Sequence, residues 1–112
     1  MKQFLALLAS TPNEVMFEQT MQVIDDHFDF SPTSFVNGET KNQAGQNNGS
    51  CKIFAFAQMQ DLDESSTLAC FGQFYREDVL KNPNGSDHAN IRNFMLHGWA
   101  GVRFDGVALT AK

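Results

Sequence analysis

The 112 residues carry a formal charge of −5, with 42% hydrophobic and 19% charged side chains, the size and balance of a single globular domain, 1–112. No basic cluster offsets the acid, so neither nucleic acid nor an anionic membrane surface is an expected partner. No apolar run reaches the roughly 18 residues of a membrane span. The departure from average is aromatic: eleven Phe beside one Trp and one Tyr, rings that need a common interior.

In chain order, Phe4, Leu5, Leu7 and Leu8 predict a short first helix from about Gln3. Thr11-Pro12-Asn13-Glu14 has the form of a capping box, with Thr as N-cap, Pro at the first helical position and Glu at the third. Phe17, Met21, Ile24 and Phe28 then recur at helical spacing, and Pro32 forbids continuation. In SFVNGET, Asn37-Gly38 is a two-residue hairpin signal. Residues 41–49 form a polar loop, and Ser50 stands as the cap of a helix from Cys51 to about Gln60. That helix carries apolar residues on nearly every side (Ile53, Phe54, Phe56, Ala57, Met59) and is expected to be central and buried.

After Asp61–Asp63, the stripe Leu68, Phe71, Gly72, Tyr75 and Val79 predicts one more helix. KNPNGSD stops it, and Ser86 or Asp87 caps a last helix carrying Ile91, Phe94 and Met95 and ending near Gly98. Val102, Phe104, Val107 and Leu109 alternate around Asp105-Gly106, the pattern of a second hairpin. The expected class is α+β: about five helices around one Phe-rich core, with a small antiparallel sheet made of two hairpins. Gly38 and Gly106 are both expected at positive φ.

The segments SFVNGE, AGQNNGSCKIFAFAQ, TLACFGQFYREDVL and DHANIRNFMLHGWAGVRFDG together resemble the HopJ family of small bacterial proteins over nearly the whole chain. The resemblance implies a relation to a type III effector and no reaction, substrate or catalytic residue. Type III export calls for a disordered N-terminus that can be threaded, whereas a helix is expected here from about Gln3. Two cysteines fit a reduced, cytoplasmic protein better than a disulfide scaffold; secretion by a type III system is the alternative.

Two residues are candidates for chemistry. Cys51, placed near a helix N-terminus, could be an activated thiolate. NNGSCKIFAF is similar to the stretch around the nucleophile of papain-type thiol hydrolases, DHA at 87–89 is similar to the stretch holding their histidine, and Gln46 stands near the place of their oxyanion glutamine. His88 falls in a first helical turn, a position suited to a base or a metal ligand. The competing reading makes Cys51 a buried structural thiol and His88 a polar capping-turn residue, and it is preferred. No His-x-x-x-His or Cys-x-x-Cys spacing exists, so no metal and no cofactor is assigned.

The binding candidates are Asn47 and Asn48 in the polar loop, the charged set Arg76, Glu77, Asp87 and Arg92, and Trp99. Glu77 or Asp78 is expected to pair with Arg92 between neighbouring helices, unless the arginines clamp an anion. The function expected is a small non-catalytic binding or regulatory protein, its partner another protein or a small polar or anionic ligand. The alternative is a thiol-dependent enzyme using Cys51 and His88.

Overall fold

The computed structural model describes all residues, Met1–Lys112. Its five α-helices are α1 (Lys2–Ser10), α2 (Phe17–His27), α3 (Asn48–Met59), α4 (Glu64–Ala69) and α5 (Ala89–His97). Five short strands are β1 (Phe28–Phe30), β2 (Phe35–Asn37), β3 (Thr40–Asn42), β4 (Val102–Phe104) and β5 (Leu109–Ala111). A π-helical segment, Phe74–Val79, and a 3-10 turn, Gly98–Gly101, complete the layers that matter for the site. The class is α+β.

Helix α3 is the axis of the molecule. Cys51, Ile53, Phe54, Ala55, Phe56 and Ala57 are all buried along it, because apolar residues ring the helix and every face needs cover. On one side Phe56 meets Phe4 and Phe28 edge-on, each at 6.1 Å. On the other, Phe54 packs against Phe35, Phe71, Phe94 and Trp99 at 5.0–6.2 Å. Ile24, Ile53, Leu68, Ile91 and Phe94 join this core as the periodicity predicts, with Phe17, Met21 and Tyr75 at its edge.

Several local expectations are corrected. The Thr11 capping box does not form. Residues Pro12–Glu14 make a 3-10 turn, and Val15 follows in extended backbone, which lets its side chain reach the core at 0% exposure. Helix α2 therefore begins at Phe17, with the Met16 amide donating to Gln19 Oε1 at 2.8 Å. The stripe from Leu68 to Val79 is not one helix either, because Gly72 at φ +59° breaks it. Helix α3 starts one turn before Cys51 with Asn47 as N-cap, and α5 has His88, not Ser86 or Asp87, as N-cap.

The sheet pairing also differs from two self-contained hairpins. The first exists, with β2 pairing β3, but its loop is Gly38-Glu39, because Asn37 lies in the ladder opposite Thr40 and is fully buried. The second does not close on itself: β4 pairs β2, while β5 pairs β1. Two antiparallel sheets result, ordered β3-β2-β4 and β1-β5. The connection between β4 and β5 is fixed to a neighbouring loop instead, by Asp105 N to Ser34 O at 3.0 Å and Ser31 N to Ala108 O at 2.8 Å. Gly106 needs no positive φ there; Gly38 has one, +60°.

Candidate functional site

A pocket of about 300 Å³ opens where the first turns of α3 and α5 meet. Asn47, Gly49 and Ser50 border it from α3, and Ala89 and Asn90 from α5. Phe17, Phe71, Phe74 and Ile91 form its apolar wall, and the His88 ring closes one side. Asn47 alone among the predicted binding residues lines this space.

Both helices start in the same way. Asn47 and His88 precede them in left-handed backbone, φ 52° and 51°, and neither side chain caps the helix that follows. Intrahelical bonding begins with Cys51 N to Asn47 O at 3.0 Å and Arg92 N to His88 O at 3.1 Å. The amides of residues 48–50 and 89–91 thus have no protein acceptor. Unpaired first-turn amides and the positive end of the helix dipole favour an anion. Here two such ends share one cavity.

An asparagine cluster holds the two helix starts together. Asn42 Oδ1 accepts from Asn47 Nδ2 at 2.7 Å and from Asn90 Nδ2 at 2.9 Å. Asn42 Nδ2 donates back to Asn90 Oδ1 at 3.1 Å. Asn37 Nδ2 donates to the same oxygen at 3.1 Å and to the Asn90 carbonyl at 2.7 Å. Asn37, Asn42 and Asn90 are buried, and only Asn37 Oδ1 lacks a partner. Sequence reasoning missed these three, having taken Asn37 for a turn residue and Asn42 for loop. The available signal was four asparagines in a strand-loop-helix context, the residue type that most often bonds backbone and amide groups locally.

Cys51 and His88 make no hydrogen bond to each other and take separate partners. Cys51 is 1% exposed, its sulfur 3.5 Å from the Thr33 carbonyl, and it does not border the pocket. Burial pushes its thiol pKa up. His88 stacks on Phe74, centroids 5.2 Å apart, with Nε2 3.0 Å from Asp78 Oδ2.

The charged set also takes other partners than expected. Arg76 Nη1 donates to the Val15 carbonyl at 2.7 Å, tying the π-helical segment to the start of α2. Glu77 pairs with Lys81. Arg92 bonds the Asp87 carboxylate and carbonyl, each at 2.6 Å, and the Asn82 carbonyl at 2.9 Å. Neither Glu77 nor Asp78 reaches Arg92, because Asp87 and the 82–87 loop occupy its donors first. Trp99 packs on Phe54 and Phe94 and donates from Nε1 to the Leu62 carbonyl at 3.0 Å. Asn48 is exposed at the start of α3, without a side-chain bond. Beside the pocket, Asp78, Asp87 and His88 converge so that one donor atom of each lies within 4.8 Å of the others.

Comparison with known proteins places this chain. A solved crystal structure, described as that of an unknown function protein VPA0580, is 59% identical; the match covers 100% of this chain and 93% of that one, with a TM-score of 0.99. No match to a curated protein was found. The family described as HopJ type III effector protein matches residues 1–109. The fold, its aromatic axis and the segments that carry the resemblance thus come together in one assignment: the chain belongs to the HopJ type III effector protein family.

Proposed function

We propose that the protein is a non-catalytic binding module whose ligand is a small anion carrying an apolar group, held in the pocket between α3 and α5. The observation that supports this reading is the convergence of two uncapped helix N-termini on one cavity with a phenylalanine wall. The amides of residues 48–50 and 89–91 supply donors without any side-chain charge, and Phe17 and Phe74 supply apolar cover. A thiol-enzyme reading lacks comparable support, since the Cys51 sulfur is buried and its polar neighbour is a carbonyl. The protein acts in the cytoplasm on this reading. Export by a type III system is what the family description points to, and a secretion assay with an epitope-tagged chain separates the two.

The test is an amide NMR titration with phenyl phosphate and with inorganic phosphate. Shifts are expected at Gly49, Ser50, Ala89 and Asn90, larger for the aromatic anion. Ala89→Glu places a carboxylate at the same helix start, where the dipole tolerates it, so the variant should fold yet bind at least about tenfold more weakly. Shifts that spare both helix starts, or that persist undiminished in Ala89→Glu, would overturn the proposal.

A further inference from the structure

We infer that Asp78, Asp87 and His88 form a binding site for a first-row divalent transition-metal cation at the rim of the pocket. The three come from two stretches of the chain, Asp78 from one and the consecutive residues Asp87 and His88 from the other. Asp78 belongs to the π-helical turn, His88 is the left-handed N-cap of α5, and Asp87 ends the loop before it. His88 Nε2 is 3.0 Å from Asp78 Oδ2 and 4.0 Å from Asp87 Oδ2. A cation with bonds of about 2.1 Å to nitrogen and oxygen sets its donors about 3.0 Å apart at right angles and about 4.2 Å apart when opposite. The largest separation in the cluster, 4.8 Å at most, closes to that range with a shift of about half an ångström, well within side-chain motion.

An ion pair between His88 and Asp78 would need one carboxylate only. A second carboxylate, Asp87, is nevertheless brought to 4.0 Å from the same imidazole nitrogen, although Arg92 already serves as its charge partner. Asp87 is fixed in that position from behind: Arg92 holds its Oδ1 at 2.6 Å, leaving Oδ2 turned to the cluster. Phe74 stacks on the imidazole, so ring orientation and carboxylate are both set before any cation arrives. The imidazole selects against Mg²⁺ and Ca²⁺, which prefer all-oxygen sites, and in favour of Mn²⁺, Fe²⁺ or Zn²⁺. With three protein donors, coordination positions remain open, and His88 itself borders the pocket.

The inference is independent of the anion reading and is tested with the metal alone. Mn²⁺ added to the full chain should broaden the amide signals of Asp78, His88 and Ala89 by paramagnetic relaxation, and Zn²⁺ should compete it away while Mg²⁺ at equal concentration should not. Asp78→Asn removes one ligand charge, and His88→Asn removes the imidazole while keeping a residue that accepts left-handed backbone. Each should weaken Mn²⁺ binding at least about tenfold in calorimetry. Asp25→Asn, an exposed carboxylate paired with Lys52 elsewhere on the surface, should leave it unchanged. Absence of broadening at these amides at millimolar Mn²⁺, or undiminished binding in both cluster variants with their circular dichroism intact, would overturn the site.

Discussion

Gly72 shows how much one residue decides. Its φ of +59° breaks the stripe that otherwise spaces Leu68, Phe71, Tyr75 and Val79 as one helix. The break turns Phe74 back toward Phe17, rings 4.8 Å apart, to make the pocket wall. A β-carbon at Gly72 would collide with the Phe17 amide nitrogen and lie 2.8 Å from the Met16 carbonyl carbon, both immovable backbone. Gly72→Ala should therefore cost more than about 1 kcal/mol, combining left-handed strain with the clash. At Gly106 the nearest atom is Thr33 Cγ2 at 3.6 Å and φ is not positive, so Gly106→Ala should fall within about 0.5 kcal/mol of the parent in urea midpoints. Equal midpoints for the two variants would refute the distinction. A glycine inside an apolar stripe announces no direction of turn, which is why the sequence reads as continuous helix there. The two thiols make the same point about context. Burial pushes Cys70 up to about 12 and Cys51 upward as well. Both should resist iodoacetamide at pH 7.5 in the native chain and react at ordinary rates in guanidinium. Fast alkylation of folded Cys51 would contradict its structural role.

Among elements, helices were legible except where Gly72 breaks the stripe, and their starts were not. Apolar periodicity fixes which residues of α3 and α5 face inward, since burying a stripe or a whole circumference dominates the local free energy. A start is set by single hydrogen bonds worth about 1 kcal/mol, and here tertiary partners outbid the local motif. Asn47 faces Asn42 rather than capping α3, and His88 faces Asp78 rather than capping α5. Strands of three residues carry too short a pattern to reveal their pairing, so the β4–β2 ladder was hidden. Asn42→Ala tests the asparagine cluster. It leaves Asn47 and Asn90 amides without their acceptor and should cost about 1–3 kcal/mol in urea unfolding; a loss below about 0.5 kcal/mol would show the cluster to be dispensable. Helix α4, by contrast, has a side-chain cap at its start. Asp63 Oδ1 accepts from the Ser66 amide at 2.7 Å, and that bond lowers the carboxyl pKa. A depressed native pKa adds stability above the unfolded value near 3.9 and loses it as pH falls through the native value. The parent should thus exceed Asp63→Ala by about 1 kcal/mol at pH 7, with the gap shrinking below about pH 4. A gap constant from pH 7 to 2.5 would mean that the ionised cap contributes nothing.

At the scale of the whole molecule, the eleven phenylalanines foretold a shared interior, and α3 is where it is shared. Phe56 serves the side that contains α1 and β1, through Phe4 and Phe28. Phe54, two residues earlier, serves the side that contains β2, α5 and Trp99. Neither side has a helix of its own that could stand in for α3, so losing α3 exposes both at once. Unfolding should be a single two-state transition across the chain. Trp99, the one tryptophan, makes this measurable, because it reports the Phe54 side while far-UV circular dichroism reports all helices. Phe56→Ala removes a fully buried ring, 0% exposed, on the side remote from Trp99's aromatic partners, and should cost about 3–5 kcal/mol of the roughly 5–15 typical of such a domain. If the molecule is one cooperative unit, the Trp99 fluorescence midpoint falls by the same amount as the dichroism midpoint. If instead helix signal is lost early while the Trp99 transition stays at the parent midpoint, the two sides unfold separately, and α3 is a border between units rather than their common axis.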